Sequence, residues 1–261
     1  MRTFLNGSLL FALVVLLLPA CPAWSQAIPV PNYSFESPTV ADAPPYAGTE
    51  IDDWTKSPAP AWWTATPGNT SLSWAECSGE FVNVPFAPVA GADGNQPAQL
   101  AFMFAVPGYE LYQTLGNTYQ VGKSYQLTVG IQGGGYYMPA GTPMAIELYY
   151  PDASGDRISV GSLPVSNNNS AGSITQLTDY TLTIPAVAAG DAWAGQPIGI
   201  DLVQTISPDT YQGLVQAAGT SGYWDIANVR LNATPEPSSL ALLAVGGIGM
   251  LAARRWRASK R

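Results

Sequence analysis

What most constrains this chain is a period of two. In "SYQLTVGIQ", Tyr125, Leu127, Val129 and Ile131 fall on one side, with Gln126, Thr128 and Gly130 on the other. "MAIELYY" places Ile146, Leu148 and Tyr150 together, "DYTLTIP" Tyr180, Leu182 and Ile184, and "IGIDLVQ" Ile198, Ile200 and Leu202. "QLAFMFAV", "YELYQTLG" and "YWDIANVRL" add further runs. Successive side chains of a strand point to opposite faces, so each run offers one face for burial. Gly, Pro and Asn punctuate the runs, and no long stretch repeats every 3.6 residues. About eight short strands of this kind predict an all-β, antiparallel β-sandwich or jelly roll.

Residues 38–98 fit the pattern less well. They are rich in Pro, Ala and Gly, carry Trp54, Trp62, Trp63 and Trp74, and read as long loops with a few short strands. Loops this long in a compact domain are usually functional or disordered, and the aromatics argue against disorder. A polar turn region spans 161–173, and a long connection with one helical turn spans 206–222.

The two ends are of a different character. Arg2, the apolar run Ser8–Ala20 and the small residues at "AWS" (23–25) predict a secretory signal peptide over residues 1–25. "LPAC" (18–21) offers a competing reading, a lipobox with Cys21 acylated. At the C-terminus, residues 238–253 are nearly all apolar. Sixteen residues make about 24 Å of helix against a bilayer core of about 30 Å, a minimal single transmembrane helix. Arg254, Arg255, Arg257, Lys260 and Arg261 follow at once, which favours a cytoplasmic tail and puts the middle of the chain outside the inner membrane.

Pro235-Glu236-Pro237, the apolar helix and the basic run occur in the order of a PEP-CTERM sorting signal, which residues 235–261 resemble. The resemblance implies handling by an exosortase-type membrane protease, transient inner-membrane anchoring through residues 238–253, and release to the cell surface or extracellular matrix.

Between the ends lie residues 26–234, a length that suits one sandwich domain. It holds four cations, Lys56, Lys123, Arg157 and Arg230, against seventeen Asp and Glu. Such an acidic surface repels phosphate backbones and excludes nucleic acid as a partner. Cys77 stands alone once the signal peptide is removed, so an internal disulfide is excluded. Histidine is absent, which removes the usual general base and the Ser-His-Asp and Cys-His arrangements. Paired carboxylates occur at Asp52-Asp53 and at Glu76 with Glu80, but glycosidase acids need a defined separation across the scissile bond. The reading is therefore non-enzymatic.

The domain opens with Val30-Pro31-Asn32 and Ser34-Phe35-Glu36 and carries Asp93-Gly94-Asn95-Gln96 and Gln113-Thr114-Leu115-Gly116. It closes with Asn228-Val229-Arg230-Leu231. These pieces resemble exported PEP-CTERM proteins with a galactose-binding-like jelly roll, similar to carbohydrate-binding modules. Tyr33 stands where glycine is usual, and "WDIANV" has two extra residues before its Asn-Val. The resemblance implies a structural calcium ion between the first and last strands, with Glu36 and Asp225 as carboxylate ligands. Sugar binding would use loop aromatics, because pyranose faces stack on Trp and Tyr. Trp62, Trp63, Trp74, Tyr136 and Tyr137 are the candidates, with one of each adjacent pair expected in the core. The leading function is binding of extracellular polysaccharide. The alternative is a structural matrix or biofilm protein that acts by association without specific glycan binding.

Overall fold

The computed structural model describes residues 25–63, 72–83, 89–135, 138–169 and 175–235. Residues 1–24 of the expected signal peptide, Glu236, Pro237, the apolar segment and the basic tail of the sorting signal lie outside the described residues, as do Tyr136 and Tyr137. One compact unit spans Gln26–Ala233.

Its strands are β1 (Gln26–Ile28), β2 (Ala47–Gly48), β3 (Thr55–Lys56), β4 (Ser78–Val82), β5 (Gln99–Phe104) and β6 (Glu110–Thr118). They continue as β7 (Lys123–Gly135), β8 (Pro143–Pro151), β9 (Arg157–Ser166), β10 (Thr178–Ile184), β11 (Pro197–Gln204) and β12 (Tyr223–Pro235). A seven-stranded sheet runs β10-β7-β12-β5-β4-β2, with β1 added against β12; a five-stranded sheet runs β3-β6-β11-β8-β9. The paired strands are antiparallel. The fold is an all-β antiparallel sandwich of the jelly-roll type.

The predicted inward faces form the core. Tyr125, Leu127, Val129 and Ile131 of β7 meet Ile146 and Leu148 of β8 and Ile198, Ile200 and Leu202 of β11 in one buried cluster. Each such side chain contributes roughly 1.5–3 kcal/mol by leaving water. With β7 on its other side, strand β12 serves two further neighbours in turn. Its first residues, Tyr223–Ile226, pair with β5, and Leu231–Ala233 pair with β1. Asn228, at φ 56°, makes the left-handed kink between the two pairings, a conformation Asn adopts more readily than other side chains.

Helix content exceeds the sequence expectation. The connection after β11 holds α1, the eleven-residue helix Pro208–Ala218, rather than one turn. Ser207 caps it by accepting from the Thr210 N–H, Pro208 opens it, and Gly219 ends it at φ 74°. Among the described residues, no helix is long and apolar enough to cross a membrane.

The described residues of the stretch 38–98 are mostly loop, as expected, and Lys56 ties them together. Its ammonium donates to the carbonyls of Thr49, Ala75 and Ser78. Burial lowers the lysine pKa, opposed by Glu50.

Candidate functional site

Every second residue of the five-stranded sheet points away from the core, and these residues build a polar face. Register places Tyr112 of β6 beside Asp201 of β11, and Asp201 beside Glu147 of β8. One pair further along the same strands, Thr114, Gly199 and Tyr149 lie side by side. The absence of a side chain at Gly199 matters here. A Cβ at that position would lie 2.2 Å from the Tyr149 ring. The ring therefore lies across β11, and its hydroxyl reaches Thr114 Oγ1 at 2.8 Å.

Arg157 closes this face. The hairpin "PDASGDR" delivers it: Asp152 Oδ1 accepts from the N–H groups of Ser154 and Asp156, and Gly155 turns the chain at φ 88°. From the start of β9 its Nε donates to Asp201 Oδ2 at 3.0 Å and its Nη2 to Glu110. The guanidinium carbon sits 3.8 Å from the centre of the Tyr112 ring, a cation–π contact that adds to the ion pairs. Arg157, Asp201, Glu110, Glu147, Tyr149 and Asp156 line an open pocket of about 380 Å³.

The electrostatics of this pocket are unbalanced. Four carboxylates share one guanidinium. The Asp201 side chain is only 6 % exposed, and its Oδ1 has no hydrogen-bond partner. Burial pushes its carboxyl up to about 7; Arg157 opposes this, and the charge of Glu147 adds to it.

A second buried acid lies on the outer face of the seven-stranded sheet. Asp225 of β12 pairs with Phe102 of β5. Phe102, Phe104, Phe81 and Tyr223 form a mutually packed aromatic layer around it, with ring centres 5.7–6.5 Å apart. Gly79 and Gly135 leave room for the rings of Phe102 and Tyr223. The Asp225 Oδ1 has no partner, and burial alone raises the carboxyl well above its ordinary range.

The sequence-predicted residues are placed as follows. Trp62, Trp63 and Trp74 come together in edge-to-face contacts at 5.1–6.2 Å, with Tyr211 of α1 against Trp62. Trp74 is core, its Nε1 donating to the Ser57 carbonyl; Trp63 is half-buried, and Trp62 is 38 % exposed. Glu36 accepts from the N–H groups of Ala98 and Gln99 at the start of β5. Asp225 faces Phe102, three residues on, roughly 10 Å further along the strand, so the two carboxylates are not neighbours. Near Glu36 is the buried Glu80, pushed up to about 8 by burial and by the charges of Asp52 and Glu36, against a hydrogen bond from Asn32. The Asn32 and Gln99 amides donate to Glu80 and to the carbonyls of Phe35, Ser37, Pro38 and Asp52. Among the described residues, no group of three or more His, Cys, Asp or Glu side chains is placed to hold a metal ion. Pro235 is exposed at the end of β12.

Sequence reasoning did not single out Arg157, Glu110, Tyr112, Glu147, Tyr149 or Asp201. A signal was there. Asp201 and Glu147 are carboxylates at outward positions of strands that are otherwise apolar, and Arg157 is one of four cations in the domain.

The model of the HpiC1 cyclase family matches residues 26–232, almost the whole of this sandwich. The chain belongs to the HpiC1-like family. A PEP-CTERM protein-sorting motif follows at 233–257, which marks this HpiC1-like protein as exported. No curated protein matches its sequence. Among solved structures it is similar to TmCBM61 in complex with β-1,4-galactotriose, at 14% identity over 77% of this chain and 95% of that one, with a TM-score of 0.39. It is also similar to the K1 cleaved adhesin domain of Lys-gingipain from Porphyromonas gingivalis, at 14% identity over 80% and 97%, with a TM-score of 0.38. Likenesses this distant leave the function of the HpiC1-like domain to be read from its own residues.

Proposed function

We propose that this exported domain binds extracellular polysaccharide on the outer face of its five-stranded sheet. The observation that carries the reading is the open pocket between β8, β9 and β11, with a buried carboxylate at its base and one carboxylate oxygen unpartnered. Sugar hydroxyls pair with fixed carboxylates and guanidinium groups, and a preformed site spends little of its binding free energy on ordering. Arg157 is held by two acids and a ring before any ligand arrives. Trp62, the most exposed of the three clustered tryptophans, adds a separate stacking contact. Export brings the domain to its ligand: an exosortase-type protease handles the sorting motif, the apolar segment anchors it transiently in the inner membrane, and the domain is released to the cell surface or matrix. A glycan array probed with the exported protein tests this. Binding to at least one polysaccharide class is expected. Intact cooperative folding with no binding to any glycan favours a structural matrix protein instead.

On calcium, the residues around Glu36 support a domain held without the ion. The carbonyls of Phe35, Ser37, Pro38 and Asp52 and the Glu80 carboxylate accept side-chain N–H groups from Asn32 and Gln99, and Glu36 accepts the backbone N–H groups of Ala98 and Gln99. The domain is then held by those amides, and a chelator leaves its melting temperature unmoved. A fall on chelation that calcium restores would put the ion back at Glu36.

One observation favours a second reading. The family takes its name from a cyclase, and Asp225 is a buried acid beneath aromatic rings. A carboxyl kept protonated in apolar surroundings can donate a proton to an alkene. Mass-neutral turnover of acid-sensitive alkenes, lost in Asp225→Asn with the fold retained, would establish it; no turnover on any alkene leaves the binding module.

A further inference from the structure

We infer that the ligand of the β8–β9–β11 pocket is a polysaccharide with free amino groups, bound through an ammonium seated between Asp201 and Glu147. The inference rests on the proposal that this pocket binds polysaccharide, and it names the class.

The pocket's charge carries it. Glu110, Glu147, Asp156 and Asp201 line the same space as the single cation Arg157. Arg157 is already committed, through Nε to Asp201 Oδ2 and through Nη2 to Glu110. What is left over is specific in place: the Oδ1 of Asp201, buried and without a donor, and the carboxylate of Glu147 from the neighbouring residue across the strand pair. A buried acceptor with no donor is costly, and a charged donor satisfies it best. A neutral hydroxyl would bond to Asp201 and leave the repulsion between the two acids in place. An ammonium removes both defects at once, because it carries three donors and a positive charge. A bare metal ion fits poorly. The space is about 380 Å³, and among the described residues no three acids converge on one point.

The test is isothermal titration of the exported protein with matched β-1,4-linked glucosamine and N-acetylglucosamine oligomers, and with calcium chloride alone. The two sugars differ only in whether the amine is free. The expected result is binding of the glucosamine oligomer at least tenfold tighter than its acetylated partner, weakened by added salt. That preference should fall to near unity in Asp201→Asn and in Glu147→Gln. The second variant alters a partly exposed residue, so it still reads the site if the first fails to fold. Equal affinity for the two sugars overturns the amine and leaves polysaccharide binding standing. Binding of neither sugar, nor of any other glycan on the array, overturns both. A tenfold preference that survives both substitutions places the amine elsewhere and overturns the assignment. Saturable calcium binding that both substitutions abolish, without sugar binding, makes this a cation site and overturns it too.

Discussion

At the scale of single residues, two positions hold the candidate face in shape. Gly199 leaves space for the Tyr149 ring, so Gly199→Ala forces that ring off β11 and breaks its bond to Thr114. Overpacking of this kind costs about 1–3 kcal/mol, a fall of roughly 2–4 °C in Tm per kcal/mol for a domain of this length. Thermal unfolding of the variant checks it. Lys56→Met removes three charge-assisted bonds to loop carbonyls and leaves those carbonyls without their donor. Each such bond contributes about 1.5–3 kcal/mol, so this variant should be less stable than Gly199→Ala in the same experiment. Acidity follows from the buried carboxyls. The folded chain holds the Asp201 proton up to about pH 7, against an ordinary value of 3.8. Glu80 behaves alike, up to about 8 against 4.5. The folded state then binds more protons than the unfolded one between these limits. This contribution to stability is fully present below pH 3.8 for Asp201 and is lost as pH rises through 7. The melting temperature should fall between pH 5 and pH 8.5, and Asp201→Asn should flatten the lower part of that fall. A melting temperature that rises over this range would contradict the assignment.

At the scale of elements, the strands were legible where one face is wholly apolar. Strands β7, β8, β10 and β11 come straight from the period of two, because a single register buries all their Leu and Ile side chains, with Val203 of β11 left on the outer face. The helix α1 was underestimated for an equally physical reason. Only Tyr211 and Val215 are buried in it, too short an apolar stripe to show a 3.6 period. Its caps were more informative than its interior. Ser207, Pro208 and Gly219 are start and stop signals in the right places. Ser207→Ala should destabilise the protein by about 1 kcal/mol, read as a small loss in Tm and earlier hydrogen exchange across 208–218. The candidate face was legible only in part. Alternation alone sets Asp201 and Glu147 outward, but which acids adjoin depends on the pairing of β6, β11 and β8. The reach of Arg157 depends on the turn at Gly155. Neither is a property of any one run.

At the scale of the whole molecule, an acidic sandwich and a sorting motif describe one journey. The PEP-CTERM motif begins where the last strand ends, at residues 233–257. The acidic balance of residues 26–234 keeps an exported domain soluble and steers cations toward it. In the pocket the same excess of acid is concentrated beside one arginine, which links export chemistry to the proposed ligand. Of the buried carboxylates, Asp201 and Asp225 sit on different sheets, Asp201 among polar groups and Asp225 among aromatic rings. Polysaccharide binding and acid catalysis therefore predict footprints on different sheets. Hydrogen exchange of the exported protein, with and without a saturating polysaccharide from the array, tells them apart. Binding as proposed slows exchange in β8, β9 and the Asp201 stretch of β11. Slowing confined to β5 and β12, or to the Trp62 loop, would contradict it.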